Sequence, residues 1–577
     1  MNKLFFYGII KALLIRESKM TFDKITDYVK KHADFFTILG LCVLFYFIFF
    51  HNIGSYALMD VDETRYVSMA RDMYNTKDFM TLYLNGEYFF EKPPLYFWVE
   101  CLSFAFFNKV NEFTARFPVA MCGMLTSFLI YFAGRKQVSR EYGVVASLVL
   151  ATCFEYVILA KFAILDIVVA ACVGFSIMCG FKTFFCAEEN KKFFWWFFYI
   201  FSGLAVMAKG LPGFIAPFGT MFIACLLTKK VKEGFKPQYF GIGIILFLLF
   251  VLPWHMIMLK MHDPMFYEEY IIKHHLERFL NSNEIDRAQP FWFYIVTLFW
   301  GLIPWIFSVI AVIIAKLREF NFKKLKDIKV NIDFDRFTNP EKFLFLNWVA
   351  FLFIMLFFSS SKTKLITYIL PAYVFAAPII GFIWYNYIKA GERKTAINLS
   401  VYIWGGFCIV AAITAMFTQY FLPAQLYADI LPAKWLCIFI VLFSGIFSIL
   451  FALKDKRGGV FFTYVIFTLL VSAFCTKLFF EIDYKFGQDD LMKFTKYARS
   501  KGTELVSFGD TRRYSLLYYS GYHIDYIEQT TTDNLEEELE KKDSYISIRK
   551  KYLDQYAKNL DYDVVIEGRK YVLIKSK

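Results

Sequence analysis

Carboxylates and cations crowd one short stretch of the chain, Asp62-Glu63-Thr64-Arg65-Tyr66 followed by Phe89-Phe90-Glu91-Lys92-Pro93-Pro94. Acids beside an Arg and a Lys suit group transfer, with the cations on a leaving phosphate and the acids facing an electron-poor carbon. A solvated loop would carry the same residue types. Two features point instead to positioned groups. Asp62 opens a helical pattern continued by Tyr66, Met69, Ala70 and Met73, which sets its carboxylate at a helix N-terminus. Lys92-Pro93-Pro94 is a stiff extended turn that holds its cation in one place.

Three further places carry chemistry. Asp166 is followed directly by an apolar run, as either a helix cap or an acid facing a cavity. Tyr270 to Phe279 contains His274, His275, Glu277 and Arg278, and four of the seven His fall within 255–275. Adjacent His on a helix point about 100° apart, so a metal would need a distant partner such as Glu91. Ser361 to Pro371 places Lys362, Lys364 and Tyr368 at a membrane edge, where with Arg65, Lys92 and Arg278 they could cradle a phosphate. Lysines that only snorkel to anchor a span are the plainer reading of Lys362 and Lys364.

The elements that must position these groups are membrane spans. The chain has 577 residues, 58% hydrophobic and 21% aromatic. Its apolar residues fall in runs, many reaching the roughly 17–25 residues that cross a bilayer as a helix. The net charge of +13 sits in short basic clusters between those runs, the pattern of cytoplasmic loops, and so argues against nucleic acid as a partner. The 11 Cys lie in or beside apolar segments, without CxxC or zinc-ribbon spacing. No strand followed by a Gly-rich phosphate loop is found, so no nucleotide cofactor is expected.

Apolar runs begin near 35, 94, 114, 142, 166, 193, 211, 238, 291, 343, 366, 396, 434 and 459. The basic clusters share one side only if the run at 94–110 lies at the interface without crossing. About thirteen spans then remain, after a cytoplasmic tail at 1–34. The transmembrane domain is expected over 35–479, with periplasmic loops at 53–113, 160–166, 209–212, 259–290, 359–366 and 417–433. Residues 480–577 read as a small α/β domain on that same outer side. It would have helices over 489–500 and 535–541, a strand over 504–508 and a hairpin over 564–574 turning at Gly568-Arg569.

With those motifs in that order, the chain resembles the GT-C class of lipid-linked glycosyltransferases. It is similar to the lipid A 4-amino-4-deoxy-L-arabinose transferase family, itself related to protein O-mannosyltransferases. The resemblance runs over about 35–480 and includes a small outer C-terminal domain. It departs at Phe89, where the family often has Tyr, and at His274, where an acid is usual.

The resemblance implies an inner-membrane enzyme of lipopolysaccharide modification with its site facing the periplasm. Its partners would be an undecaprenyl phosphate-linked sugar donor, a lipid A acceptor and membrane lipids. It implies Asp62, Asp166 and Lys92 as catalytic residues, and Arg65, Arg278, Tyr368 and Lys362 on the donor phosphate. Glu91 and His275 would hold a divalent metal ion, zinc in the family. Two alternatives differ in kind: a flippase of lipid-linked sugars, and a glycosyltransferase with a protein or glycan hydroxyl acceptor. A transporter places charges and broken helices at mid-membrane, whereas these charges lie in loops on one face.

Overall fold

The computed structural model describes residues 31–234, 236–277, 289–319, 333–421, 424–503, 505–510, 513–541 and 544–577. The expected tail at 1–34 and Arg278 therefore lie largely or wholly outside the described residues.

Among these residues, eight helices are long and apolar enough to cross a membrane, and nine if the pair Phe293–Gly301 and Ile306–Glu319, bent by 119°, forms one span. Four more expected spans coincide with helices that miss this mark. Asp166–Lys182 and Leu211–Leu227 have only 17 residues each. Arg140–Ala151 is interrupted before Phe154–Leu159, and Glu188–Lys209 begins with a run of charges. Length and composition thus establish eight or nine crossings, and the count of thirteen rests on charge parity. The run after Pro94 folds as Leu95–Phe107, 13 residues, too short to cross alone.

The helices Asp166–Lys182, Glu188–Lys209 and Leu211–Leu227 pack on one another, and Asn339–Ser360 packs on the last of them. Gly210 takes φ +76°, a backbone that glycine adopts without strain. It lets the chain reverse directly from Glu188–Lys209 into Leu211–Leu227.

In the C-terminal domain five strands are ordered β4(Asp525–Ile527), β3(Leu505–Phe508), β5(Tyr545–Arg549), β7(Tyr571–Ser576), β6(Tyr562–Glu567). The first three run parallel and the last two form an antiparallel hairpin. The expected strand and hairpin are both present, and the two expected helices appear as Asp489–Lys501 and Thr532–Glu540. The carboxylate of Asp490 accepts bonds from the backbone N–H groups of Arg569, Lys570 and Tyr571 at 2.7–3.1 Å, fixing the hairpin turn.

This domain is bound to the first outer loop. That loop carries a two-stranded hairpin, β1(Tyr83–Leu84) and β2(Glu87–Tyr88), closed by Asn85-Gly86 with both φ positive, the turn that matches strand twist. The Asn85 side chain donates to Ile524 O at 2.8 Å and accepts from Ile524 N at 3.0 Å. Asp60 accepts from Ser515 N at 2.7 Å, from Ser515 Oγ at 2.5 Å and from Thr64 Oγ1 at 2.7 Å. Burial nevertheless holds its carboxyl above the usual carboxylate range.

Candidate active site

The charged motifs of the first outer loop start from a buried ion pair. Glu63 and Arg116 are both wholly buried. The Arg116 guanidinium donates to both Glu63 oxygens at 2.7 Å and to the carbonyls of Ile53, Tyr56 and Ala57 at 2.8 Å. Glu63 also accepts from Met59 N at 2.9 Å and Ala163 N at 2.6 Å. Buried charges survive only when paired and fully hydrogen-bonded in this way. The network fastens the loop before Asp62 to the segment before Asp166. Lys161 adds a second tie, donating to His51 O at 3.1 Å and Ser472 O at 2.9 Å, and burial lowers its pKa to about 7.

The helices that begin at Asp62 and Asp166 start where expected, so each carboxylate stands at a positive helix end. Arg65 Nη2 donates to Asp62 Oδ1 at 2.8 Å and to the Tyr66 hydroxyl at 3.2 Å. The Tyr66 phenol is buried, which raises its pKa; Arg65 opposes this, while the charges of Asp62, Asp166 and Glu91 add to it. The two acids differ in access, the Asp62 side chain being 56% exposed and that of Asp166 12%.

Asp166 is ion-paired with Lys209, the last residue of Glu188–Lys209, so a cation at a negative helix end meets an anion at a positive one. The Lys209 ammonium also lies 4.3 Å from the Tyr368 ring centroid. Lys209 and Tyr368 border a cavity of about 90 Å³ whose polar lining also includes Glu91, Lys92 and His274. Its apolar lining is Leu211, Pro212, Ile215, Phe357 and Phe358. Asp166 and Tyr368 line a smaller recess beside it that also includes Lys209.

Four of the loops expected on the outer side thus supply one cavity: the first with Glu91 and Lys92, 209–212 with Lys209, 259–290 with His274, and 359–366 with Ser361 and Thr363. The loop 160–166 joins them through Asp166 in the adjoining recess. Asp62 and Arg65 are not among the lining residues of either space. Lys362 is exposed and does not line the cavity. Lys364 differs from the snorkelling expectation: it is buried and donates to Gln289 O at 2.9 Å and to Ser361 O, bracing the loop.

Lys209 was not singled out by its sequence, where a lone Lys at the end of an apolar run reads as an interfacial anchor. Its only signal is the following Gly210-Leu211-Pro212, a reversal too tight to carry the side chain away from the outer face.

Described donors fall short of a zinc centre, which takes four ligands, or three and a water. Among the described residues no three His, Cys, Asp or Glu side chains gather around one point. The His seen beside Glu91 is His274, and the side chain of His275 lies outside the described residues.

Helical spans, one cluster of acids and lysines, and a small α/β domain bound to the loop before it make up a polytopic membrane protein with the GT-C fold. Residues 34–287 match the model of the dolichyl-phosphate-mannose-protein mannosyltransferase family. The chain is 27% identical over 428 residues to an undecaprenyl phosphate-alpha-4-amino-4-deoxy-L-arabinose arabinosyl transferase of Photorhabdus laumondii, spanning 73% of this chain and 70% of that one. A transferase of the same name from Proteus mirabilis is 26% identical over 410 residues, 70% of this chain and 69% of its own. The crystal structure of ArnT from Cupriavidus metallidurans bound to undecaprenyl phosphate shares the fold, with a TM-score of 0.75 at 18% identity, over 93% of this chain and 97% of that one.

Proposed function

We propose that this protein transfers an amino sugar from undecaprenyl phosphate to a phosphate of lipid A, at the periplasmic face of a bacterial inner membrane. The observation that carries this reading is the mixed lining of the cavity, which combines Lys92 and Lys209 with apolar Leu211, Ile215, Phe357 and Phe358. A polyprenyl phosphate has the same two parts, an anionic head on an apolar chain. The names of the relatives, which specify such a donor, support the same assignment.

The reaction breaks the bond between the sugar's anomeric carbon and the donor phosphate oxygen. The electron pair leaves with that oxygen, and undecaprenyl phosphate departs. Lys92 and Lys209 are held in place beforehand to receive the charge gained by the leaving phosphate, the arrangement that stabilises a transition state most effectively. Asp166, in the recess beside the cavity, faces the positive charge that develops on the sugar and can hold an ammonium on it; Asp62 lines neither space and acts from outside them. An oxygen of the acceptor phosphate supplies the electron pair of the new bond. A phosphate monoester is largely ionised at neutral pH, so no base is required. A hydroxyl acceptor would need an aspartate to remove its proton.

The test supplies purified protein with undecaprenyl phosphate-linked aminopentose and three acceptors: lipid A, dephosphorylated lipid A, and a Ser/Thr peptide. The expected result is a mass gain on intact lipid A alone. Transfer to the peptide, or to lipid A lacking its phosphates, contradicts the phosphate acceptor.

A further inference from the structure

The helix that carries Asp166 at its outer end carries Lys182 at the other, about 24 Å away at the helical rise. There a second cavity of about 350 Å³ opens between the ends of Glu112–Gln137, Asp166–Lys182 and Asn339–Ser360. Its walls are apolar, Leu129, Met178, Phe185 and Phe343 among them, and among the described residues its only charged lining is Lys136 and Lys182. Nearby cations are neutralised by the protein itself. Arg135 and Arg140 share Asp34, and Lys191 bridges Glu188 and Glu233. Lys136 and Lys182, by contrast, have no carboxylate within 4.0 Å among the described residues. The Lys182 ammonium lies over the face of Phe194, 5.9 Å away.

We infer that this cavity is a binding site for an anionic glycerophospholipid of the cytoplasmic leaflet, its phosphate between Lys136 and Lys182 and an acyl chain in the apolar cleft. Two ammonium groups without a described carboxylate partner at the edge of an apolar cleft leave a charge that an anion from the adjoining phase completes. Cytoplasmic leaflets are anionic, and basic pockets between spans on that side take acidic headgroups. The volume lies in the range of cavities that enclose small molecules, enough for one chain and far from enough for a whole polyprenyl tail. The cleft is at the face opposite the reaction cavity, so its occupant is not the sugar donor. A lipid wedged there would brace the helix that presents Asp166.

Delipidated full-length protein in detergent is examined by native mass spectrometry and thermal melting, with phosphatidylglycerol, phosphatidylcholine or undecaprenyl phosphate added separately. One phosphatidylglycerol should be retained and should raise the melting temperature, while phosphatidylcholine does neither. At about 1 kcal/mol for each lysine, K136Q/K182Q should lose the preference for phosphatidylglycerol by about 30-fold. A133W, which fills the cleft without touching its charge, should abolish retention of any phospholipid. Equal retention of the two phospholipids by the wild type overturns the inference, as does an unchanged preference in K136Q/K182Q. Tighter retention of undecaprenyl phosphate that depends on the two lysines assigns the cleft to a polyprenyl chain and likewise overturns it. None of these readings depends on glycosyl transfer, so they stand or fall apart from the proposed reaction.

Discussion

Lys209 bears on two groups at once, pairing with Asp166 and lying over the face of Tyr368. Lys209→Met should lower turnover by about 100- to 1,000-fold, the usual cost of removing one preorganised donor at a developing anion. Wild-type turnover in this variant would make Lys209 a plain helix anchor. Asp166→Asn keeps the shape and removes the anion. It should abolish most transfer, whereas a capping role alone would appear as about 1 kcal/mol of lost stability with the rate intact. Lys92→Arg keeps charge but replaces a compact ammonium with a broad plane. At saturating donor it should lose about 100-fold, because misplacement by about 1 Å costs that much. Lys362→Arg should be silent, since Lys362 is exposed and lies off the cavity. Asp166, Lys92 and Tyr368 were legible in the sequence because a charge beside a helix start, a double proline or a span edge has few other uses. Lys209 was not, because its partners Asp166 and Tyr368 stand far away along the chain. Glu63 looked like one loop acid among several, and only the path of Arg116 shows it to be a structural ion.

At the scale of elements, the Glu63–Arg116 pair and Lys161 determine whether the two aspartate-bearing helices share a site. Arg116→Met leaves the Glu63 carboxylate buried without its partner and should cost about 3–5 kcal/mol of stability, read as a large drop in detergent melting temperature. Lys161 gives a pH signature. Its pKa falls from 10.5 in the unfolded chain to about 7 in the fold, so between those values the unfolded state binds more protons. Stability from this group therefore rises with pH across that window and is flat below it. Comparing wild type with Lys161→Met, the melting-temperature slope above neutral pH should be steeper in the wild type. Equal slopes would mean that the buried amine stays charged. Helix starts at Asp62 and Asp166 were readable from the apolar pattern. The Asn85-Gly86 hairpin went unread although its turn residues signal one, and its docking on Ile524 belongs to tertiary structure and leaves no local trace.

For the whole molecule, charge parity along the chain grouped six loops on one side before any contact was known, and five of them line the cavity or its recess, 417–433 being the exception. Three of the small domain's five strands followed from local alternation, and Asp525–Ile527 and Tyr545–Arg549 were not read. What hid was how that domain sits: Asp60, Asn85 and Arg71 reach across more than 400 residues of sequence to Ser515, Ile524 and Tyr518. A reporter fused after Lys485 should therefore read as periplasmic and one at Lys324 as cytoplasmic, and a cytoplasmic reading after Lys485 would put the domain on the wrong side of the cluster. The most direct test of the central claim is conversion in a single detergent phase, where no second compartment exists. Purified protein, lipid-linked aminopentose and lipid A should yield glycosylated lipid A and free undecaprenyl phosphate in equal amounts, and Asp166→Asn should yield neither. If the wild type leaves both lipids unchanged in detergent yet moves the donor across the bilayer of proteoliposomes, the protein is a transporter and the account of a transferase is contradicted.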